Sequence, residues 1–308
     1  MITNDKLGNA GACELRAKRP REMEDALNFH VYHPLAWQLA QRLARTPLTP
    51  NAVSVLGACF VVAAAIAYAQ PWWPFSALLG MMLHMSWHVV DGADGDLARI
   101  TGRASPVGEM VDGICDYAGH FILYLVLGWL LFHQIGVSAW PLLVAAGISH
   151  IIQTNHVEVQ RRSYQWWVYA KPWLRITHRE ADAATHRPEF SGIASFYLGV
   201  ASGVASYTQR IDDAVAEAAG DPERLARIGA LARAEAPPLL RLLMVLGPNP
   251  RAIVLGMSML AGSPIYYFVY QVVVLNLLLA WSVYRHNAAA RRMLATIESW
   301  GPPPNAAR

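Results

Sequence analysis

Six apolar blocks approach the length of about 20 residues that an α-helix needs to cross a bilayer. They run from about Asn51 to Gln70, Phe75 to Ile100, Val107 to His133, Ser138 to His156, Arg251 to Gly262 and Ile265 to Tyr284. The fifth is short, but "PNP" before it and "GSP" after it frame it as a separate element. Ahead of the first block, Ala26 to Ala44 places Leu27, Val31, Leu35, Leu39 and Leu43 at four-residue steps with polar residues between them. That period predicts an amphipathic helix, lying on a membrane surface or packed on its neighbours, and "RTPLTPN" ends it.

The organisation that follows is all-α: six transmembrane helices, an N-terminal amphipathic helix and a helical insertion between helices 4 and 5. Residues 1–50 form a tail and the interfacial helix, 51–162 the first four spans, 163–247 the insertion, 248–286 the last two spans, and 287–308 a C-terminal tail. Within the insertion, "FSGIASFYLGVASGVASY" (Phe190 to Tyr207) is long enough to span but diluted by Gly and Ser. It reads as an interfacial or protein-packed helix, followed by polar helices around Ile211 to Ala219 and Pro222 to Ala234.

Charge orients this arrangement. Arg99, Arg103, Arg161, Arg162, Lys171, Arg175 and Arg179 fall at the ends of the second and fourth blocks or after them, whereas "QPWWP", "HQIGVS" and "GSP" hold no Lys or Arg. Basic residues accumulate on the cytoplasmic side, so both termini are expected there, with Arg285, Arg291 and Arg292 after the last span. The Phe190 to Tyr207 segment as a seventh span would put the basic C-terminus outside. The aromatic run "YQWWVY" at Tyr164 to Tyr169 is expected in an interfacial belt.

Composition agrees with a membrane protein: 54% of the 308 residues are hydrophobic and 15% charged, and mean hydropathy is +0.24. A net charge of +3, without a continuous basic surface, gives no reason to expect nucleic-acid binding. Cys13, Cys59 and Cys115 are odd in number and scattered, without metal-type spacing.

Against this background "DGADGDLARITGRASPVGEMVDGICD", from Asp91 to Asp116, is anomalous. If the second and third spans turn at "TGRASP", Asp94 and Asp112 each lie nine residues from Arg103, and Asp91 and Asp116 lie twelve and thirteen away. At about 1.5 Å per residue the acids pair at matching depths. Asp91 and Asp94 are three apart and Asp112 and Asp116 four apart, so each pair shares a helix face. Carboxylates converging in a low dielectric repel one another and need protons or cations. Oxygen-only ligands favour Mg²⁺ or Mn²⁺, and four carboxylates suffice for two ions. Gly92, Gly95 and Gly108 remove bulk beside the acids, letting helices or a flat ligand come close. Arg99, one turn past Gly95, suits a phosphate. Metal and arginine together point to phosphoryl chemistry.

The pattern D-x2-D-G-x2-A-R-x8-G-x3-D-x3-D, matched by Asp91, Asp94, Gly95, Ala98, Arg99, Gly108, Asp112 and Asp116, resembles the signature of the CDP-alcohol phosphotransferases. "LTPNAVSVLG", Leu48 to Gly57, resembles the family's lead into its first membrane helix, and the resemblance covers Thr46 to His156. It implies a six-helix enzyme, often dimeric, that moves a phosphate-linked alcohol from a CDP carrier to an acceptor hydroxyl and releases CMP. Carried over, Asp91, Asp94 and Asp112 would bind the metals, with Asp116 contributing to the second metal and acting as base. Gly95, Ala98 and Gly108 would shape the cytidine pocket, with Asp94 and Arg99 near the nucleotide. The long insertion departs from the family's compact members. The shared pattern reads only CDP, so the donor is CDP-diacylglycerol with a small polar acceptor, the preferred reading, or a soluble CDP-alcohol with a lipid acceptor.

Other readings weigh less. A structural salt-bridge network would need more basic residues at that depth. An EF-hand fails because Ala93 and Gly102 occupy positions that need acids. His84 and His88 share a face with Asp91 in the manner of a zinc pair, but are expected to line the pocket; His120 is expected to pack between helices. Arg161, Arg162 and Lys171 could hold an acceptor phosphate, although positive-inside flanking alone accounts for them. A UbiA-type prenyltransferase would need a second Asp-rich motif. A transporter using intramembrane acids would show broken spans and repeated halves.

Overall fold

The structure, a computed structural model, describes residues 20–171 and 206–301. Cys13, most of the N-terminal tail, Arg175, Arg179 and nearly all of the Phe190 to Tyr207 segment lie outside the described residues. Among the described residues every regular element is helical. A π turn at Asn28–Tyr32 leads into α1, His33–Leu43. Then come α2 (Pro50–Tyr68), α3 (Phe75–Ile100), α4 (Pro106–Ile135) and α5 (Ala139–Tyr169). After the gap follow α6 (Ser206–Glu217), α7 (Pro222–Val245), α8 (Pro248–Leu260), α9 (Ile265–Val269), a π turn at Tyr270–Val274, and α10 (Leu275–Ser299).

Local chemistry sets several of these ends. Thr49 caps α2 by accepting from the Ala52 N–H at 3.3 Å, with Pro50 in the first turn. Asp221 caps α7 by accepting from Arg224 N at 3.0 Å. Two helices outrun the expected spans. The fourth block was expected to end near His156, but α5 continues through "YQWWVY" to Tyr169, because no Gly or Pro interrupts the chain between Ile148 and Lys171. The last helix likewise runs to Ser299, through residues expected to be tail.

The chain divides into two compact units, Met1–Gly147 with Pro248–Val272, and Ile148–Gly247 with Val273–Arg308. In the first, α2 packs against both α3 and α4. Its core draws Val61, Ala64 and Ala65 from α2, Trp87 from α3, Leu123, Leu127 and Leu131 from α4, Leu143 from α5, and Leu255 and Phe268 from α8 and α9. A second cluster joins Ala36 and Ala40 of α1 to Val53 of α2 and Val90, Ala93 and Leu97 of α3. Thus the alanine face of α1 is the packed one, while Val31 and Leu35 of the expected apolar stripe stay exposed.

The second unit is held differently. Ser149, Gln153, His156, Gln160 and Ser163, spaced four and three apart along α5, are all buried. Gln153 donates to Asn276 Oδ1 at 2.7 Å, and Asn276 donates to Ser149 Oγ at 2.8 Å. The Ser282 hydroxyl lies 2.9 Å from His156 Nε2 and 3.2 Å from His286 Nδ1. The aromatic run at the end of α5 also has protein partners, since Trp167 Nε1 donates to Asp212 Oδ1 at 2.7 Å.

Among the described residues, four stretches are long and apolar enough to cross a membrane: Pro50–Tyr68, Val107–Tyr169, Pro222–Leu260 and Ile265–Ser299. Val107–Tyr169 holds both α4 and α5, and Pro222–Leu260 both α7 and α8. α3 is not among them, because its histidines and aspartates lower its hydropathy.

A Cβ on Gly80 would lie 2.5 Å from Cδ1 of the Tyr68 ring, which is itself buried in the core. Gly80→Ala is therefore expected to destabilise the protein by about 1–3 kcal/mol through overpacking. Gly147→Ala, with nothing near its Cβ position, should not destabilise; thermal unfolding of the detergent-solubilised protein checks both.

Candidate functional site

The turn between α3 and α4 is closed at both ends. Past the end of α3, the Gly102 N–H donates to Arg99 O at 3.3 Å and the Arg103 N–H to Ala98 O at 2.8 Å. Gly102 has φ of 66°, the left-handed conformation that this C-terminal motif requires. Ser105 then caps α4 by accepting from the Gly108 N–H at 3.1 Å. These bonds set how far each acid stands from the turn.

α2 serves as the common support for α3 and α4, and the acids reach across between those two helices. The approach depends on small residues. A Cβ on Gly57 of α2 would sit 3.5 Å from Trp87 Cδ1 and 3.9 Å from the Asp91 N atom. A Cβ on Gly119 of α4 would meet the Ala58 backbone at 3.4 Å.

Asp91, Asp112 and Asp116, all half-buried, each bring one carboxylate oxygen within 4.8 Å of the others. Asp94 lies against Asp112, and Asp91 against Asp116, the pairing by depth that counting from the turn anticipates. Asp94 nevertheless stands outside the three-carboxylate group. It is buried, and its Oδ2 accepts a 2.5 Å hydrogen bond from Ser54 Oγ on α2. Asp116 Oδ1 accepts from Trp87 Nε1 at 3.1 Å. Crowded carboxylates of this kind fit a hard divalent cation, which removes their repulsion and is ligated through oxygen alone.

The other motif residues surround this group. Arg99 is ion-paired with Asp96, one turn back on α3. Its Nη1 lies 3.6 Å from where a Cβ on Gly95 would stand, and its buried Nε has no hydrogen-bond partner. The Gly95 surface is thus covered by a guanidinium with a donor to spare. Asp96, which the spacing argument passes over, is what holds that guanidinium. Ala98 is half-buried on α3 and contributes its carbonyl to the turn. A Cβ on Gly108 would meet Ser105 Oγ at 3.3 Å and Asn51 Oδ1 at 3.7 Å, and one on Gly92 would meet Ala36 Cβ at 3.2 Å. Gly92 therefore serves the approach of α1.

Arg161, Arg162 and Lys171 belong to the second unit, where Arg162 donates to Glu158 Oε1 at 2.6 Å. Two side chains that bind the acids directly, Ser54 and Trp87, escaped the sequence reading. Trp87 could have been found, since it stands four residues before Asp91 and so shares its helix face. Ser54 offers only a hydroxyl in an apolar run.

A family model described as CDP-alcohol phosphatidyltransferase matches residues 47–176. Cholinephosphotransferase 1 of Saccharomyces cerevisiae is similar to this chain, at 31% identity over 100 residues that make up 29% of the chain and 24% of that protein. The chain thus spans about a quarter of the length of this curated relative. Both descriptions are of transferases of phosphate-containing groups, and together with the apolar helices the match marks an integral membrane protein.

If the carboxylates hold a cation, Asp91→Asn, Asp112→Asn and Asp116→Asn are each expected to weaken Mn²⁺ binding by about tenfold or more. Glu109→Gln, at an exposed position in the first turn of α4, should leave it nearly unchanged. Paramagnetic resonance of free Mn²⁺ titrated with the purified protein reads both.

Proposed function

We propose, because residues 47–176 belong to the CDP-alcohol phosphatidyltransferase family, that this chain transfers a phosphate-linked alcohol from a CDP carrier to an acceptor hydroxyl, in phospholipid synthesis. The observation that carries the reading is the meeting of Asp91, Asp112 and Asp116, with Asp94 behind them, on the two helices that bear the family's motif. Asp91, Asp94, Asp112 and Asp116 would hold Mg²⁺ or Mn²⁺, two ions in all. When bound, the ions neutralise the pyrophosphate and polarise the phosphorus.

The chain's own residues have distinct tasks. Arg99 turns its free donor to the nucleotide's phosphates, while Gly95, Ala98 and Gly108 shape the cytidine pocket. Asp116, held by Trp87, accepts the proton of the acceptor hydroxyl as its oxygen bonds to phosphorus and the bond to the CMP oxygen breaks. Arg161, Arg162 and Lys171 are proposed to hold an acceptor phosphate.

The preferred donor is CDP-diacylglycerol with a small polar acceptor. The name of the yeast relative favours the second pairing, a soluble CDP-alcohol with a lipid hydroxyl. The reading further includes six spans, with α3 as the second and the Arg251 to Gly262 block as the fifth. Both termini and the site face the cytoplasm, residues 163–247 form an insertion on that side, and the chain is a homodimer.

CMP release from a panel of CDP-alcohols, CDP-diacylglycerol included, checks the reaction class. Release should require Mg²⁺ or Mn²⁺ and stop with EDTA, and Asp116→Ala should lower kcat by about 10²-fold or more. Full activity in Asp116→Ala would show that the base lies elsewhere. A chain that releases no CMP from any of them would return attention to the prenyltransferase and transporter readings.

A further inference from the structure

Where the last apolar block meets charge, in the second unit, the chain carries an exposed group of side chains that the reaction as read does not use. Val273 of the π turn and Leu277 and Trp281 of α10 stand four residues apart, Tyr284 follows three later, and all four are exposed. Arg285 is the first charged residue after Arg251. This side of the helix thus passes from apolar to aromatic to basic within about three turns. The Trp281 and Tyr284 rings stack at 5.7 Å between centroids with the planes 27° apart, and the Arg285 guanidinium lies 5.6 Å from the Trp281 ring centroid.

A second arginine reaches the same level from α7, which packs against α10 in the opposite direction. Arg224 Nη2 donates to Gly301 O at 2.8 Å, and further along, Arg292 Nε and Nη2 donate to Glu235 Oε1 and Oε2 at 3.0 and 2.6 Å. Arg241 stands six residues beyond Glu235 on α7, and Arg285 seven before Arg292 on α10. At the same rise per residue the two arginines come to nearly equal height. Glu235 is within electrostatic reach of Arg285, but both its oxygens are taken by Arg292. Among the described residues neither Arg241 nor Arg285 forms an ion pair, and Arg241 is exposed.

We propose that Arg241 and Arg285, with Trp281 and Tyr284, bind one anionic phospholipid, a ligand of the second unit and not a reactant. Its phosphate meets the two guanidiniums, and an acyl chain lies along Trp281, Leu277 and Val273. The chemistry follows from the order of the side chains. Amphipathic rings settle at the headgroup level of a bilayer, and arginines beside them attract anionic headgroups and pair with phosphate through two parallel donors. A free phosphate would match the arginines alone. The apolar strip that continues below the rings has the length and the exposure to take a chain as well.

Native mass spectrometry of the full-length, delipidated protein in detergent tests this, by titration with phosphatidylglycerol or phosphatidylcholine of the same acyl chains. The wild type should take up phosphatidylglycerol at lower concentration than phosphatidylcholine. Arg241→Gln and Arg285→Gln should each weaken that uptake about fivefold, the contribution of one arginine near an anionic surface. Arg291→Gln removes the same charge from an exposed arginine that lies over Tyr207 instead, and should leave uptake unchanged. Equal uptake of the two lipids would mean an unselective lipid coat, and an adduct indifferent to both Arg241→Gln and Arg285→Gln would place the lipid elsewhere, the reaction site included. Equal weakening by Arg291→Gln would reduce the effect to overall charge, and displacement of the lipid by an equal concentration of inorganic phosphate would make it a free-anion site. Each of these four results overturns the proposal.

Discussion

Mutual repulsion among Asp91, Asp94, Asp112 and Asp116 is the constraint around which the first unit is organised. Like charges this close in a half-buried setting do not remain together without something to neutralise or hold them. The fold supplies holders from other helices: Ser54 on α2 donates to Asp94, and Trp87 on α3 donates to Asp116. Those donors orient the carboxylates without removing their charge. A divalent cation is the natural complement of such a group.

The supporting helix explains several residues at once. α2 must come near both α3 and α4 for its serine to reach Asp94, and Gly57 and Ala58 let it do so. The caps at Thr49 and Ser105 and the left-handed Gly102 then set where the acids fall along their helices. α1 adds a further layer, with Ala36 close against Gly92 and Tyr32 laid over His88. Sequence spacing marks the glycines as a group, yet they divide by task. Gly57 and Gly92 admit a neighbouring helix, whereas Gly95 lies beneath Arg99.

The second unit solves a different problem with the same residue types. Its buried Ser149, Gln153, His156, Ser282 and His286 and the half-buried Asn276 are joined side chain to side chain. In a helix pair meant for an apolar surrounding, such bonds give directional contacts that apolar packing lacks. The stripe along α5 repeats every three and four residues and was present in the sequence. A reading by apolar block length alone passes over it.

The sequence alone determined the helical class, most helix starts, the acid pairing by depth and the motif that resembles a known family's signature. These follow from local rules: apolar block length, proline and serine at helix ends, and a rise per residue that converts counting into depth. Tertiary structure decided what depends on neighbours far along the chain. It placed Asp94 behind the group of three, engaged Arg99 with Asp96, put Ser54 and Trp87 on the carboxylates, and turned the alanine face of α1 inward while Val31 and Leu35 of the expected apolar stripe stayed exposed. Periodicity says which residues share a face, but only packing decides which face is covered and by what.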